Sequence, residues 1–351
     1  MLLDYLFTDE PEAPGEFSLV RVSRRAMATT FEIAIPLGSH PDPVAAGEAA
    51  LDLIDELESQ MTIYREESEV SRVNSSAMDA FVEVEPHLFD LFTRCAVWTK
   101  ETGGAFDLAT GALTKVWGFH RREPRVPTPR DRIAAMHRTG FRHVVLNAER
   151  RAVKFRVAGL ELNLGAVGKG YALDRAAALL RLQWGVRSAL LHAGGSSACA
   201  IGTPPGDARG WPIRLKHPTN PDGSLGVVRL RDAGLGTSAA TFQFFEYNGQ
   251  KLGHLLDPRL GWPASGTANA SVTAPTAAEA DAMSTAAFVL GATGAEALTR
   301  LRPALGAVVL SEEPTPPTPR PEGKGVGGVG LQSFNLASDV YSPPPTRIDP
   351  S

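Results

Sequence analysis

Residues 163–174, which read NLGAVGKGYALD, join a predicted strand at 160–164 to a helix predicted from about Val167 to Leu182. Small residues in such a turn let the main chain approach a ligand closely. The first turn of a helix offers free N–H groups and a favourable dipole to phosphate, and Lys169 adds a point charge. The segment is not a P-loop, because that motif's spacing and its Ser or Thr after the lysine are missing. It is therefore either a phosphate-binding turn or a tight strand-to-helix turn with a surface lysine.

Strands and helices follow one another irregularly on both sides of this segment. Upstream, Phe31, Ile33 and Ile35 form one apolar face of a strand. Helices are predicted from Asp42-Pro43 and from Pro86 to Gly103-Gly104. Further strands are predicted at 143–147, 153–157, 189–192, 213–216, 227–230, 241–247, 252–256, 270–273 and 307–310. This order indicates an α+β fold rather than a regular βαβ winding.

Turn and cap residues add detail to the carboxyl-terminal half. Asn248-Gly249 predicts a hairpin turn between two strands. Thr276 and Glu279 form a predicted capping box for a helix over 276–290, and residues 295–301 continue helical. The arginine- and proline-rich stretch 120–132 is predicted to be a solvated loop rather than an anion site.

The predicted organisation is one domain with extensions at both ends. We expect a polar lead-in at 1–15 and a single domain at 16–311. A Pro/Gly-rich loop at 312–330, a closing strand at 331–340 and a flexible tail at 341–351 follow.

Composition excludes several classes of protein. The 351 residues carry a net charge of −4, which argues against nucleic-acid binding through bulk positive charge. Cys95 and Cys199 make neither a disulfide framework nor a thiolate metal site. We see no signal peptide, membrane anchor or apolar run of membrane-spanning length. The expectation from these observations is a cytoplasmic protein.

The segment around Asp281 is a candidate metal site. Asp281 and Thr285 are four residues apart on a predicted helix and therefore share one face, which is otherwise small and apolar. A carboxylate and a hydroxyl buried on such a face need partners. Oxygen ligands of this type suit Mg²⁺ rather than zinc. The alternative is an internal cap or hydrogen-bonded pair.

Three further segments carry polar groups at the ends of elements. His254, Asp257 and Arg259 come together at a predicted strand end, where functional groups are often held, although a lone histidine there is often structural. The segments 102–107 and 62–74 are weaker candidates. Taken alone, the segment 102–107 is interpreted as the end of a helix, and the segment 62–74 as a solvated helix.

Taken in order, these segments resemble the FAD:protein FMN transferase (ApbE) family. The likeness covers roughly residues 20–310 and rests on motifs at sensible spacing. These are Met27-Ala-Thr-Thr-Phe31, Tyr64-Arg65…Asn74, Gly104-Ala-Phe-Asp107…Trp117-Gly-Phe119, Gly165…Lys169-Gly170…Asp174, Gly194-Gly195, Thr237-Ser238, His254-x-x-Asp257-Pro258…Gly261 and Ala280-Asp281…Thr285. The resemblance implies mixed, largely antiparallel sheets with packed helices.

The resemblance also implies an activity and a set of site residues. Family members bind FAD with Mg²⁺ and transfer FMN to a Ser or Thr hydroxyl of a target protein, releasing AMP. The implied FAD-binding positions are Met27, Tyr64, Ala105, Phe106, Asp107, Asn163, Lys169 and Leu256. The implied magnesium ligands are the Ala166 carbonyl, Asp281 and Thr285, and the implied catalytic residues are His254, Asp281 and Lys169. Tyr64 and Phe106 are expected to pack on the flavin or adenine rings.

The chain differs from the family pattern at several positions. The family's Asp-Pro-x-Thr-Gly has Leu260 in place of threonine, and its usual acid is replaced by Asn163. Gly-Gly-Asp ends in Ser196 here, Thr-Ser-Gly ends in Ala239, and Asp-Pro-Thr becomes Asp107-Leu-Ala109. Two alternatives follow: an FAD pyrophosphatase that yields FMN and AMP, and a flavin-binding protein without catalysis. Free FMN would indicate the first, and bound FAD without AMP release would indicate the second.

Overall fold

The computed structural model describes residues 17–312 and 330–344, apart from 122, 221, 240–243 and 248–249. The helices are α1 (Pro43–Met61), α2 (Glu69–Ser76), α3 (Pro86–Glu101), α4 (Gly111–Val116), α5 (Pro129–Met136), α6 (Gly168–Leu182) and α7 (Ala277–Leu301). The first nine strands are β1 (Leu19–Ala26), β2 (Thr29–Pro36), β3 (Val82–Glu83), β4 (Val144–Asn147), β5 (Ala152–Phe155), β6 (Ala189–Ala193), β7 (Ser197–Ile201), β8 (Trp211–Lys216) and β9 (Ser224–Leu230). The others are β10 (Gly234–Ala239), β11 (Phe244–Tyr247), β12 (Gln250–Gly253), β13 (Leu256–Asp257), β14 (Trp262–Pro263), β15 (Thr267–Ala274), β16 (Gly306–Ser311), β17 (Leu331–Phe334) and β18 (Tyr341–Ser342).

A central sheet of eight strands organises the fold. Its order is β1-β2-β6-β7-β10-β15-β16-β17, and its neighbouring strands are antiparallel. Helices α1, α6 and α7 pack on one face. On the other face, the small sheet β18-β9-β8 encloses a second apolar core. The expected α+β class with largely antiparallel sheets is confirmed.

Side-chain alternation explains why the central sheet is covered on both faces. Phe31, Ile33 and Ile35 of β2 belong to the core under the helices, whereas Ala34 belongs to the core under the small sheet. Successive side chains of a strand point to opposite faces. Both faces of β2 are therefore buried, as the run of apolar residues requires.

Helix α7 lies unusually close to the sheet because glycines face it. A Cβ on Gly170 would lie 2.2 Å from the Ala277 carbonyl oxygen, and one on Gly236 would lie 2.4 Å from that of Ala280. Both neighbours are main-chain atoms that cannot move aside independently. The glycines therefore let the first turns of α7 lie against β10 and the start of α6.

Several local predictions are corrected by tertiary contacts. Residues 160–164 form no strand; instead, Gly111 donates its N–H to the Glu161 carbonyl, and Asn163 donates to Leu108. The stretch 120–132 is not all loop, because Thr128 caps α5. Tyr341, predicted to start a flexible tail, pairs with β9, and its hydroxyl donates to the Leu225 carbonyl at 2.7 Å.

Some predictions fall outside the described residues. These are the lead-in at 1–15, the Asn248-Gly249 turn, most of the 312–330 loop and the end of the tail. Around the turn, β11 and β12 pair as an antiparallel hairpin. Among the described residues, no helix is long and apolar enough to cross a membrane.

Candidate active site

A cleft of about 450 Å³ lies at one end of the central sheet. Because neighbouring strands are antiparallel, this end collects the β1–β2 turn, the β6–β7 turn and the end of β10. The cleft brings together six residues that were predicted for the site. They are Met27, Ala166, Lys169, His254, Asp281 and Thr285. Segments far apart in the chain thus supply the hydroxyl, carboxylate, ammonium and imidazole groups of one site.

Asp281 is the buried acid of this cleft. One carboxylate oxygen accepts the Gly170 N–H at 2.8 Å, and the other accepts the Ser197 hydroxyl at 2.8 Å. Burial raises the pKa of Asp281, while Lys169, Ser197 and the Gly170 N–H act to lower it. The carboxylate is thereby held in one orientation, and each oxygen keeps a lone pair for another partner.

Hydroxyl groups surround the same turn of α7. The Ser238 hydroxyl lies 3.0 Å from that of Ser284 and 3.4 Å from that of Thr285. Thr285 also donates to the Asp281 carbonyl at 3.2 Å. These contacts keep Thr285 on the side of the helix that faces the cleft.

The donor set fits a magnesium ion in its chemistry. Asp281, Thr285 and Ala166 line one cleft and offer only oxygen atoms, which Mg²⁺ prefers over nitrogen and sulfur. Within the described ranges, no group of three or more His, Cys, Asp and Glu side chains is placed to hold a metal. A cation here would therefore need phosphate oxygens or water to complete its shell.

The loop before α6 is held by hydrogen bonds within the loop itself. Asn163 accepts the Gly165 N–H at 2.8 Å, and Gly168 donates to the Leu164 carbonyl at 2.7 Å. This turn brings half-buried Lys169 to the cleft at the first turn of α6. The segment therefore leads into α6 without the predicted strand before it, and it carries Lys169 into the cleft rather than onto the surface.

Two residues in the left-handed conformation form the opposite wall. Met27 and Ala28, with φ of 48° and 59°, make the tight turn between β1 and β2. The Met27 N–H donates to the Glu58 carboxylate at 2.8 Å. Such strain in residues other than glycine is held by surrounding structure and clusters at functional sites.

His254 follows β12 and lies half-buried in the wall of the cleft. Asp257, two residues beyond Leu255, instead accepts two bonds from the Arg259 guanidinium at 2.7 and 2.9 Å. The structure therefore does not bring the three residues of the predicted His–Asp–Arg cluster together in the cleft. Its histidine faces the cleft, and its acid and arginine brace the following turn.

The other predicted FAD positions do not line this cleft. Phe106 is fully buried and meets Trp98 edge to face, so its ring cannot stack on a flavin in this conformation. Asp107 accepts the Ala109 and Phe141 N–H groups at 2.7 and 2.9 Å, and burial raises its pKa. Both side chains act within the protein, which corrects the expectation of ring stacking by Phe106.

Tyr64 and Leu256 lie in other surroundings. Tyr64 is 74% exposed, and its hydroxyl donates to the His120 carbonyl at 3.3 Å. Leu256 pairs with Pro263 in the β13–β14 hairpin and packs against the small core of α4 and α5. Ala105 is buried beside Phe106.

Sequence reasoning missed two residues that set the geometry. Ser197 orients Asp281, but its role depends on the register of β7, which no local pattern reveals. Asp174 was noted only as part of a motif, and it accepts the N–H groups of Ala277 and Ala278 at 2.7 and 2.9 Å. The sequence signal for this helix cap was the acid Asp174 itself, which lies one helical turn after Lys169-Gly170.

Comparisons with known proteins identify a family with similar sequences. The ApbE family profile matches residues 27–309. The FAD:protein FMN transferase of Treponema pallidum (strain Nichols) is 34% identical over 281 residues, which cover 76% of this chain and 77% of the relative. That of Escherichia coli (strain K12) is 30% identical over 272 residues, covering 76% of each.

Solved structures show the same fold. The ApbE protein of Thermotoga maritima superposes with a TM-score of 0.75 at 27% identity, covering 84% of this chain and 94% of that one. The apo form of the Pseudomonas stutzeri flavinyl transferase ApbE gives a TM-score of 0.75 at 26% identity, covering 91% and 94%.

Proposed function

The chain belongs to the ApbE family, and we propose that its cleft carries out FAD:protein FMN transfer with Asp281 as the central acid. The protein is a transferase that attaches FMN from FAD covalently to a protein. The observation that carries the site assignment is the convergence of Asp281, Lys169, Thr285 and His254 in one cleft. An acid, a cation and a base in one place are what transfer from a pyrophosphate requires.

The proposed magnesium ligands are the Asp281 carboxylate, the Thr285 hydroxyl and the Ala166 carbonyl. When bound, Mg²⁺ neutralises charge on the pyrophosphate. Lys169 balances anionic oxygens that the metal does not contact. Ser197 and the Gly170 N–H hold Asp281 in place, so the acid does not have to reorient during the reaction.

The proposed acceptor group is a Ser or Thr hydroxyl, and His254 is its base. The hydroxyl proton passes to the imidazole as the acceptor oxygen bonds to the FMN phosphorus. The bond from that phosphorus to the bridging oxygen breaks, and AMP leaves with the electron pair. An imidazole suits this transfer because its ordinary pKa lies near neutrality.

The flavin end of FAD is proposed to lie towards Tyr64 and the 104–107 loop. A Cβ on Gly104 would come within 3.7 Å of Arg259, so this loop adjoins the turn that follows His254. Exposed Tyr64 offers the ring face that Phe106 does not. Ala105, Phe106, Asp107, Asn163 and Leu256 would then shape this region through main chain and packing, with Met27 at the cleft itself.

The test is an FAD assay with Mg²⁺ and a purified acceptor domain that contains threonine, read by intact mass and AMP release. We expect an acceptor heavier by one FMN, and Asp281→Ala should abolish magnesium-dependent turnover without loss of fold by circular dichroism. Asp207→Asn, which changes a buried acid in the loop before β8, is the matched control and should keep its turnover. AMP without labelling would indicate a pyrophosphatase. Full turnover by Asp281→Ala would refute the metal assignment.

A further inference from the structure

Glu58 reaches the active cleft through the main chain of another segment. It lies three residues before the end of α1, and the described lining of the cleft does not include it. Its carboxylate accepts the Met27 N–H at 2.8 Å, and Met27 and Ala28 both line the cleft. Glu58 therefore holds a wall of the cleft without contacting what binds there.

The turn held by Glu58 is a two-residue hairpin that its own sequence does not favour. Ala26 pairs with Thr29 across the turn. Between them, Met27 and Ala28 have φ of 48° and 59°. Hairpin turns with two left-handed residues usually carry Asn-Gly, because other side chains are strained there. The strand pairing leaves the Met27 N–H unused, and the Glu58 carboxylate supplies a charged and therefore strong acceptor for it.

A shift of this turn would reach the neighbouring wall of the cleft. The Gly194 N–H donates to the Thr30 carbonyl at 2.9 Å, and a Cβ on Gly194 would collide with the Thr29 hydroxyl. The β1–β2 turn and the β6–β7 turn are therefore packed directly together. Since Gly195 and Ser196 of the second turn line the cleft, the position of the first turn also sets theirs.

The last turn of α1 also touches the segment that carries Lys169. Met61 is 6% exposed, and its terminal methyl group lies 4.0 Å from the place of a Cβ on Gly168. Gly168 begins α6, and Lys169 follows it at the cleft. Glu58 and Met61 are three residues apart and therefore neighbours on the surface of α1. One helical turn thus supports both walls, and Glu58 is its connection to the Met27 turn.

The attachment of α1 to β1 does not depend on Glu58. Arg24 of β1 donates to Asp55 of α1 at 2.9 Å. It also pairs with Glu48 and Asp52 of the same helix. None of these ion pairs involves Glu58. Loss of the Glu58 carboxylate should therefore release the turn without detaching the strand from the helix.

We propose that Glu58 is a positioning residue that sets the FAD affinity of the cleft. It holds the Met27–Ala28 turn in place relative to Lys169, so FAD meets both walls without reorganisation of the protein. This role rests on the proposed transferase function and adds to it a residue outside the cleft. The sign of the effect separates positioning from a bystander charge. A carboxylate that only repelled the FAD pyrophosphate would weaken binding, and its removal would tighten it, whereas removal of a positioning residue weakens binding.

The test compares Glu58→Ala and Glu58→Gln in the full chain. FAD affinity is measured by flavin fluorescence without acceptor, and kcat and KM are measured by AMP release with Mg²⁺ and the acceptor domain. We expect Glu58→Ala to raise both the Kd and the KM for FAD about tenfold and to change kcat less than about threefold. Glu58→Gln keeps an acceptor oxygen and should stay within about threefold of wild type.

Three further variants separate positioning from a loss of fold, which circular dichroism checks for each protein. Glu58→Asp keeps the charge but is shorter by one methylene group, so it should weaken FAD binding even if the alanine variant does not fold. Glu56→Ala removes an exposed acid from the same helix and should leave the Kd unchanged. Ala28→Gly added to Glu58→Ala should recover part of the affinity, because glycine adopts the left-handed turn without strain.

The outcomes distinguish the role of Glu58 from the transferase function. An unchanged or tighter Kd in Glu58→Ala overturns the role, and so does a loss confined to kcat. A glutamine variant as weak as alanine, or no recovery with Ala28→Gly, overturns it too. Each of these results leaves the transferase function standing, provided that wild type releases AMP and labels the acceptor. If wild type neither binds FAD nor releases AMP, the transferase function itself fails.

Discussion

Replacement of Asp174 by asparagine tests how α7 is anchored above the sheet. The carboxylate of Asp174 lies between α6 and α7 and accepts the first two N–H groups of α7. Burial raises its pKa to about 6, against the lowering effect of the two N–H groups. Since α7 carries Asp281, this cap supports the candidate metal ligand directly.

The magnitude follows from the pKa. A rise from 3.8 to about 6 corresponds to about 3 kcal/mol, at roughly 1.4 kcal/mol per pKa unit. Between these two values the native state binds more protons than the unfolded state, so the free energy of unfolding falls as pH rises. The contribution of Asp174 is thus most favourable below its unfolded pKa and about 3 kcal/mol less favourable above pH 6.

The assay is urea unfolding of the metal-free chain, followed by tryptophan fluorescence from about pH 3 to pH 7. Asparagine does not titrate, so the stability of wild type relative to Asp174→Asn should decline by about 3 kcal/mol across this range. A comparison across pH isolates ionisation from the lost hydrogen bonds, which cost the same at each pH.

Asp207→Asn is the control with the opposite sign. Burial raises the pKa of Asp207, but hydrogen bonds from Arg209 and the charge of Arg229 outweigh it and lower the pKa overall. Its stabilisation is present above the unfolded pKa and is lost as pH falls through the folded pKa. The reasoning is refuted if the Asp174→Asn difference is flat with pH or runs in the same direction as that of Asp207→Asn.

Three other substitutions test the site and its support. Gly236→Ala should lower the free energy of unfolding by about 1–3 kcal/mol, because the added Cβ would meet the Ala280 main chain. It should also raise the magnesium concentration needed for AMP release. Unchanged unfolding and magnesium titrations would contradict the close packing of α7. Ala28→Gly should raise the free energy of unfolding by up to about 1 kcal/mol. Glycine removes the strain of the left-handed conformation at this position, and the greater entropy of the unfolded chain offsets part of the gain. A lower melting temperature would contradict this expectation. His254→Ala should slow acceptor labelling about 100-fold or more with FAD binding kept, and equal labelling would remove it as the base.

Elements with strong local signals were predictable. The alternation of Phe31, Ile33 and Ile35 corresponds to β2, and Asp42 caps α1 with Pro43 at its first position. Thr276 accepts the Glu279 N–H at 3.2 Å, as the capping box requires. The Glu279 carboxylate, however, pairs with Arg302, a contact made across the fold.

Two strands of the central sheet had no such signal. β7 and β10 are rich in small residues and lack the β-branched alternation typical of strands. They are strands because neighbours on both sides pair with them, and β10 is poor in side chains because α7 presses on it. The small residues that allow this close packing resemble a loop when the sequence is considered locally.

The site was predictable in its chemistry more than in its geometry. The spacing of Asp281 and Thr285 placed an acid and a hydroxyl on one helix face, which the structure confirms. The Ser197 hydroxyl and the Gly170 N–H, which orient that acid, come from segments about 80 and 110 residues away. No helical or strand period relates such positions.

The departures from the family pattern differ in what they change. Asn163 accepts the Gly165 N–H through its amide oxygen, a task that needs an acceptor rather than a charge. The Leu260 side chain is 61% exposed and does not line the active cleft, while its carbonyl accepts from Arg132 at 3.0 Å. Neither difference removes a group from the cleft.

Ser196 is the departure that bears on the chemistry. It stands where the family pattern has aspartate, and it lines the active cleft together with Asp281 and Lys169. A hydroxyl carries no charge, so the cleft holds one carboxylate fewer near Lys169 than the family pattern gives it. His254, Asp281 and Thr285 still line the same cleft, so this difference is consistent with a transferase that keeps the groups proposed for the transfer.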